Sequence, residues 1–138
     1  MPEYNINTSF NGELILDTII EGEPLIKPRP RVRRFGKAYY PNNYKEKQDA
    51  LSYMLLSKIG KTVAETKDRY LVVCSFYQCS KRGDIDNRIK ALLDAGNTIV
   101  WIDDKSVIML LGSSVYVKNN PRTELLVYKL SDIPVIKV

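Results

Sequence analysis

The run RYLVVCSFYQ, Arg69 to Gln78, constrains the fold more than any other segment. It is short, rich in β-branched and aromatic side chains, and reads as a strand buried in the centre of a sheet. GELILDTIIEG places Leu14, Leu16 and Ile20 on one side and Glu13 and Asp17 on the other, which predicts a first strand. Pro28 and Pro30 forbid a helix interior in the segment that follows and favour extended chain. GKAYY, before Pro41, predicts a short second strand. From Asn42 to Ile59 the period changes. Tyr44, Leu51, Met54, Leu55 and Ile59 share one helical face, Asn42 or Asn43 offers an N-cap, and Gly60 a stop. A second helix is expected from GDIDN to about Gly96. Val107–Val117 and Thr123–Leu130 read as two strands joined through KNNPR in a hairpin. The order β-β-α-β-α-β-β predicts an α+β fold with helices packed on a mixed β-sheet. The length, 138 residues, and the 44% hydrophobic content predict one domain over 1–138 whose core needs no staple.

Histidine is absent. That excludes Ser-His and Cys-His triads, His-ligated zinc and an imidazole general base, leaving carboxylates, lysine, tyrosine or a metal for any chemistry. Cys74 and Cys79 form neither a zinc pattern nor a redox CxxC, and are expected to be reduced thiols. There is no apolar run of about 18 residues, so no membrane partner is expected. The N-terminal MPEYNINTSFNGE lacks the basic and apolar regions of a signal peptide, so a cytoplasmic protein is expected.

The net charge of +5 is concentrated. KPRPRVRRFGK, Lys27 to Lys37, holds six basic residues and no acid, and the rest of the chain carries 15 basic against 16 acidic residues. The whole excess lies in one stretch, an anion-binding surface suited to a polyphosphate.

KRGDIDNRIK, Lys81 to Lys90, sets Asp84 and Asp86 one residue apart among basic residues. Gly83 permits a sharp turn into a helix with an apolar stripe of Ile85, Ile89, Leu92 and Leu93. Asp84 reads as an N-cap contributing about 1 kcal/mol. Asp86 suits the helix dipole and pairs with Lys90 at i, i+4 for a few tenths of a kcal/mol. Alternatively, two carboxylates this close in extended or turn backbone point the same way and suit a hard cation. Asp103 and Asp104 of WIDDKS, where the chain returns to the sheet, offer a third acid or merely a turn.

The block GDIDNRIKALLDAGNTIVWIDDKSVI resembles the RusA family of Holliday-junction resolvases, with its Asp-x-Asp-Asn-x-x-Lys-Ala, apolar helix and aromatic-x-Asp-Asp. KPRPRVRRFGKAYYPNNYKE is similar to the Pro-Arg-rich, Tyr-Pro segment of phage and Firmicute members. The match covers roughly residues 27–115 and leaves 1–12 and 131–138 outside. The resemblance implies a crossover junction endodeoxyribonuclease that cuts four-way DNA junctions by paired symmetric hydrolysis in recombination and repair. It makes Asp84, Asp86 and Asp104 the metal ligands, with Lys90 as the active-site lysine and Asp94 and Asp103 as supports. The metal would be Mg2+, with Mn2+ a substitute, and no small-molecule cofactor is implied. Lys90 would steady the reacting phosphate or position a water, or neutralise Asp86 when no metal is bound. Arg29, Arg31, Arg33, Arg34, Lys37, Lys81 and Arg82 would hold DNA phosphates, by shape rather than base reading. Tyr39 and Tyr40 are expected to pack in the core in preference to stacking on bases. Two symmetric cuts imply a C2 homodimer, with the apolar alternation of the C-terminal hairpin and IPVIKV as its surface. The alternatives are a nuclease for other branched DNA, or a non-catalytic basic DNA-binding module.

Overall fold

A four-stranded sheet built around Arg69–Gln78 carries the core. The computed structural model describes residues 8–9, 11–41, 43–60, 67–131 and 135–136. In chain order the elements are β1 (Thr8–Ser9), β2 (Gly12–Glu21), β3 (Arg31–Val32), β4 (Ala38–Tyr39), α1 (Tyr44–Ile59) and β5 (Arg69–Gln78). Then follow α2 (Ile85–Gly96), a 3-10 turn (Asp104–Ser106), β6 (Val107–Tyr116), β7 (Arg122–Leu130) and β8 (Val135–Ile136). The main sheet runs β2-β7-β5-β6, with β5 parallel to β6 and antiparallel to β7. It is therefore a mixed sheet with helices packed on it, an α+β fold with the expected order of main elements. The short pieces pair as β1 with β8 and β3 with β4.

The strand β5 is central because both of its faces are apolar. Tyr70, Val72, Cys74 and Phe76 meet Leu51 and Leu55 of α1 and Leu92 and Ala95 of α2, together with Leu16, Ile20, Leu125 and Val127 from the neighbouring strands. On the opposite face Leu71 and Val73 cluster with Met109, Leu111, Leu126, Tyr128 and Leu130, and no helix residue joins them. Burial pushes the Cys74 thiol up to about 12, and both cysteines are free. No helix among the described residues is long and apolar enough to cross a membrane.

Several local expectations are corrected. β6 and β7 do not form a hairpin, because β5 lies between them. The connection 117–121 instead crosses the end of β5, a span of roughly 10 Å at twice the strand spacing. Val117 N–H donates to Gln78 O at 2.8 Å and Gly22 N–H to Pro121 O at 3.0 Å, which fastens this crossing to both neighbouring loops. In β2 the register shifts between Leu14 and Leu16, so Leu14 turns outward at 45% exposure while Leu16, Thr18 and Ile20 face in. On α1 the inward residues are Tyr44, Leu51 and Leu55, and Met54 is 41% exposed. Ser52 lies between the helices and donates to Ala95 O at 2.8 Å. Gly60 ends α1 as expected, with φ 87° and its N–H on Leu56 O. Asn43 occupies the N-cap position without a side-chain cap bond, and Asn42 lies outside the described residues. On α2 the inward face is Arg88, Ala91, Leu92 and Ala95, rotated from the expected stripe so that Ile85 is exposed.

Trp101 fixes how the chain leaves α2. Its fully buried indole donates to Leu93 O at 3.0 Å and lies directly on Gly96, where a methyl group would overlap the ring. Gly96→Ala is expected to displace Trp101 and destabilise the fold by about 1–3 kcal/mol, the range for overpacking a close contact, read as a lowered thermal midpoint with quenched near-UV tryptophan dichroism.

Candidate active site

The loop from β5 to α2 is held from two directions. On one side Glu23 Oε1 accepts the backbone N–H groups of Cys79 and, at 3.0 Å, Ser80. On the other, Arg88 Nη1 donates to Gly83 O at 2.9 Å and Nη2 donates to Arg82 O. Arg88 is only 1% exposed, so these carbonyls solvate a charge that would otherwise be costly to bury. Burial lowers its pKa, opposed by the charges of Glu23 and Asp84. Gly83 completes the turn. Its φ is 84°, and Ile26 packs where a side chain would begin, so glycine serves both the backbone and the close approach. Sequence reasoning passed over Glu23 and Arg88. The available signal was an arginine at i−3, i−4 and i−7 to Ala91, Leu92 and Ala95, a cation on an apolar face that needs interior acceptors.

This loop delivers Asp84 to the N-cap of α2, with φ −97° and ψ 155°, yet its side chain makes no cap hydrogen bond. Asp86 follows in the first turn and stands 3.8 Å from Lys90, both side chains more than half exposed. A pair this long and wet contributes little, so neither carboxylate is consumed by local structure. Asp84, Asp86, Asn87 and Lys90 line one cavity of about 430 Å³ together with Lys27, Pro28, Arg29 and Pro30. The base of the basic segment thus forms the wall facing the two acids. Lys27 anchors that wall. Its N–H donates to Asn87 O at 3.1 Å, its ammonium pairs with Asp94 at 2.7 Å, and it lies 5.6 Å from the Tyr40 ring centroid. The Asp94 hydrogen bond raises the Lys27 pKa against the cost of burial. Asp94 thereby serves the anchor of the basic segment.

Asp103 and Asp104 lie on the turn beyond Trp101. Asp103 caps the 3-10 turn by accepting from Lys105 N–H at 3.2 Å. The hydrogen bond shared with Asp103 holds the Asp104 carboxyl above its usual range, with burial and the charges of Asp103 and Asp94 adding to it. The same bond, joined by the Lys105 N–H, lowers Asp103. The structure therefore brings Asp84, Asp86 and Lys90 to one cavity, and Asp104 does not line it. Among the described residues no three acidic or thiol side chains stand together as a metal cluster. The donor set itself, two free carboxylates open to solvent, suits a hard cation that keeps waters and takes a substrate phosphate.

The remaining basic residues form an exposed arm. β3 and β4 pair Arg31 with Tyr39 and Val32 with Ala38, making a two-stranded ribbon. Arg29, Arg31, Arg33, Arg34 and Lys37 are all exposed along it. Arg33 lies 5.0 Å from the Tyr39 centroid, and Arg34 lies 5.5 Å from Phe35, which is 94% exposed. Tyr39 and Tyr40 are not core residues: each is about two-fifths exposed, and Tyr40 leans on Tyr44 with ring centroids 5.3 Å apart. Among the described residues no further strand joins the ribbon, and its aromatics remain at the surface. Lys81 and Arg82 are exposed on the loop, with Lys81 5.4 Å from the Tyr116 ring.

Arg88→Met is expected to orphan the carbonyls of Arg82 and Gly83 and to destabilise by about 1–3 kcal/mol. The loop itself reports the change: limited trypsin digestion at Lys81 and Arg82 should accelerate in the variant well before global unfolding.

No curated protein matches the chain. The family model described as endodeoxyribonuclease RusA matches residues 21–128. That span starts at the end of β2, takes in the basic arm, both helices and the acids on their two turns, and closes within β7. A free Asp-x-Asp facing a basic wall is thus the local geometry of a chain that belongs to the RusA endodeoxyribonuclease family.

Proposed function

We propose that this chain is a divalent-metal-dependent resolvase of four-way DNA junctions. One observation carries the reading: two carboxylates free of capping share a single cavity with a basic wall that leads into the exposed arm, which supports a cation and a DNA backbone meeting there. Asp84 and Asp86 would hold Mg2+, or Mn2+ in its place, with Asp104 as the third acid. The bound cation supplies Lewis acidity toward a phosphodiester and lowers the pKa of a water. The chain's own groups do the rest. Lys90, beside Asp86, steadies the negative charge that gathers on the reacting phosphate and offsets Asp86 beforehand. Arg29 meets the backbone at the mouth of the cavity, and Arg31, Arg33, Arg34 and Lys37 continue that contact along the ribbon. Lys81 and Arg82 flank the loop from the other side. None of these side chains is presented as a base-reading helix, which supports recognition of branch shape during recombination and repair.

A four-way junction has approximate two-fold symmetry, and one chain carries one Asp-x-Asp. Paired cuts therefore call for a homodimer. The half-buried Met109, Leu111, Leu126 and Tyr128 around the buried Leu71 and Val73 offer a surface for it, since no helix residue among the described residues joins that cluster. It takes the place of the C-terminal hairpin surface, whose strands are not partners; IPVIKV lies mostly outside the described residues.

Asp84→Asn and Asp104→Asn are expected to abolish Mg2+-dependent cleavage while junction binding holds or tightens, as phosphate repulsion falls. Retained cutting by Asp104→Asn would remove that residue from the centre and leave the Asp84–Asp86 pair in place. Comparison of products from junction, flap and linear duplex checks the substrate: paired symmetric nicks are expected on the junction alone. For the arm, neutralising five or six phosphates gives a slope of about −5 in log K against log salt. Arg31→Ala with Arg33→Ala should flatten it by about two, measured by fluorescence anisotropy, and an unchanged slope would take the ribbon out of the interface.

A further inference from the structure

The most exposed large apolar side chain among the described residues stands in the middle of the strongest positive charge. Phe35 is 94% exposed, and Arg31, Arg33, Arg34 and Lys37 lie around it on the two-stranded ribbon of β3 and β4. A tight turn sets its position. Gly36 N–H donates to Arg33 O at 3.2 Å, and a Cβ on Gly36 would come within 3.3 Å of the Arg33 Cβ. The turn holds Phe35 at the tip of the ribbon, and the ring joins neither core cluster. The Arg34 guanidinium lies over the ring, 5.5 Å from its centroid, and exposure this complete leaves the opposite face open to solvent. Further down the ribbon Arg33 lies over Tyr39 in the same way, but that ring is only 39% exposed.

The chemistry around the ring selects its partner. An apolar protein surface would have to desolvate the neighbouring cations to reach it, which is costly. A nucleic acid instead brings phosphates for the cations and flat base faces for the ring. A paired base within a duplex has both faces stacked already, whereas a base at an interrupted stack has a face to give. Reach adds a second constraint. Pro30 lines the cavity of Asp84 and Asp86, and the chain from there to Phe35 extends at most about 17 Å. Bases succeed one another at about 3.4 Å along a strand, so the tip stays within about five steps of a phosphate held in that cavity.

We propose that Phe35 stacks on a base left open at the branch point of the junction, and so sets the distance between that base and the cut. The inference rests on the junction-resolving reading and deepens it. Opening a base costs least where stacking is already broken, as at a strand exchange. Guanidinium, ring and base then form one column, in which Arg34 holds the far face of the ring. The arm in this way does two things with different side chains: its cations hold any DNA backbone, and its tip responds only to a branch.

The test uses the full chain and four-way junctions carrying 2-aminopurine singly at each position around the exchange point, with Ca2+ in place of Mg2+ to keep the strands intact. With wild type, emission should rise several-fold at one position, within about five nucleotides of the nick mapped in Mg2+. With Phe35→Ala it should stay flat there. By anisotropy Phe35→Ala should bind the junction about tenfold more weakly, the loss of one base–aromatic stack. Its affinity for fully paired duplex and its salt slope should match wild type, since no charge is removed. Phe35→Trp should restore junction affinity, and its added indole should be quenched on binding while the buried Trp101 reports no change. Wild-type junction affinity in Phe35→Ala, or equal losses on junction and duplex, overturns the stack alone where the wild type binds and cuts junctions. A loss seen only on anionic lipid vesicles assigns the tip to a membrane and overturns it too. A wild type that neither binds nor cuts junctions overturns the resolvase reading and this one with it.

Discussion

A buried guanidinium met by backbone carbonyls, rather than by a carboxylate, is the constraint on which the site depends. Arg88 reaches from the inward face of α2 to the carbonyls of Arg82 and Gly83, while Glu23 takes the N–H groups at the start of the same loop. The loop is thus fixed by donors at one end and an acceptor at the other. Backbone geometry rather than a cap bond puts Asp84 where it is, and this explains how a residue at an N-cap keeps its carboxylate free. Stability and chemistry are separated by assigning them to different side chains: Arg88 and Glu23 hold the loop, and Asp84 and Asp86 are left to act.

The basic arm obeys the same division. Lys27 belongs by sequence to the positive stretch but by structure to the anchor, through Asp94 and Asn87. The cations beyond it have no such partners among the described residues and lie along an exposed ribbon. Asp94 holds the Lys27 ammonium at 2.7 Å, and its charge adds a smaller upward push to the Asp104 carboxyl beyond that of Asp103 and burial.

Where the sequence was legible, the information was local. Apolar β5 announces itself over ten consecutive residues, Gly60 and Gly83 mark turns that glycine alone accommodates, and DIDNRIK carries both its helix and its acids in one line. The illegible parts depend on distant partners. Nothing in KNNPR says that β5 lies between the strands it joins, because that follows from β5 needing neighbours on both edges. The shift between Leu14 and Leu16 reverses an alternation that reads cleanly in one dimension. Met54, Tyr39 and Tyr40 look like core residues until the helix rotation and the exposed position of the ribbon are known. Arg88 is the sharpest case: an arginine in a helix reads as solvated, and the carbonyls that draw it inward become visible only once the loop is folded back on α2. Asp104 does not line the Asp84–Asp86 cavity, and it shares a hydrogen bond with Asp103 at the cap of the 3-10 turn.

The strand order has a consequence for how the molecule comes into being. β7, made after both, is the strand that joins β2 to β5, so the earlier-made parts of the sheet have no direct ladder between them. On a ribosome β2 and β5 emerge before the strand that pairs with both. Long-range closure of this kind is slow compared with local helix formation. The sheet that spans β2 and β5 is accordingly closed only once β7 is in place, whereas the arm's base meets α2 directly through Lys27.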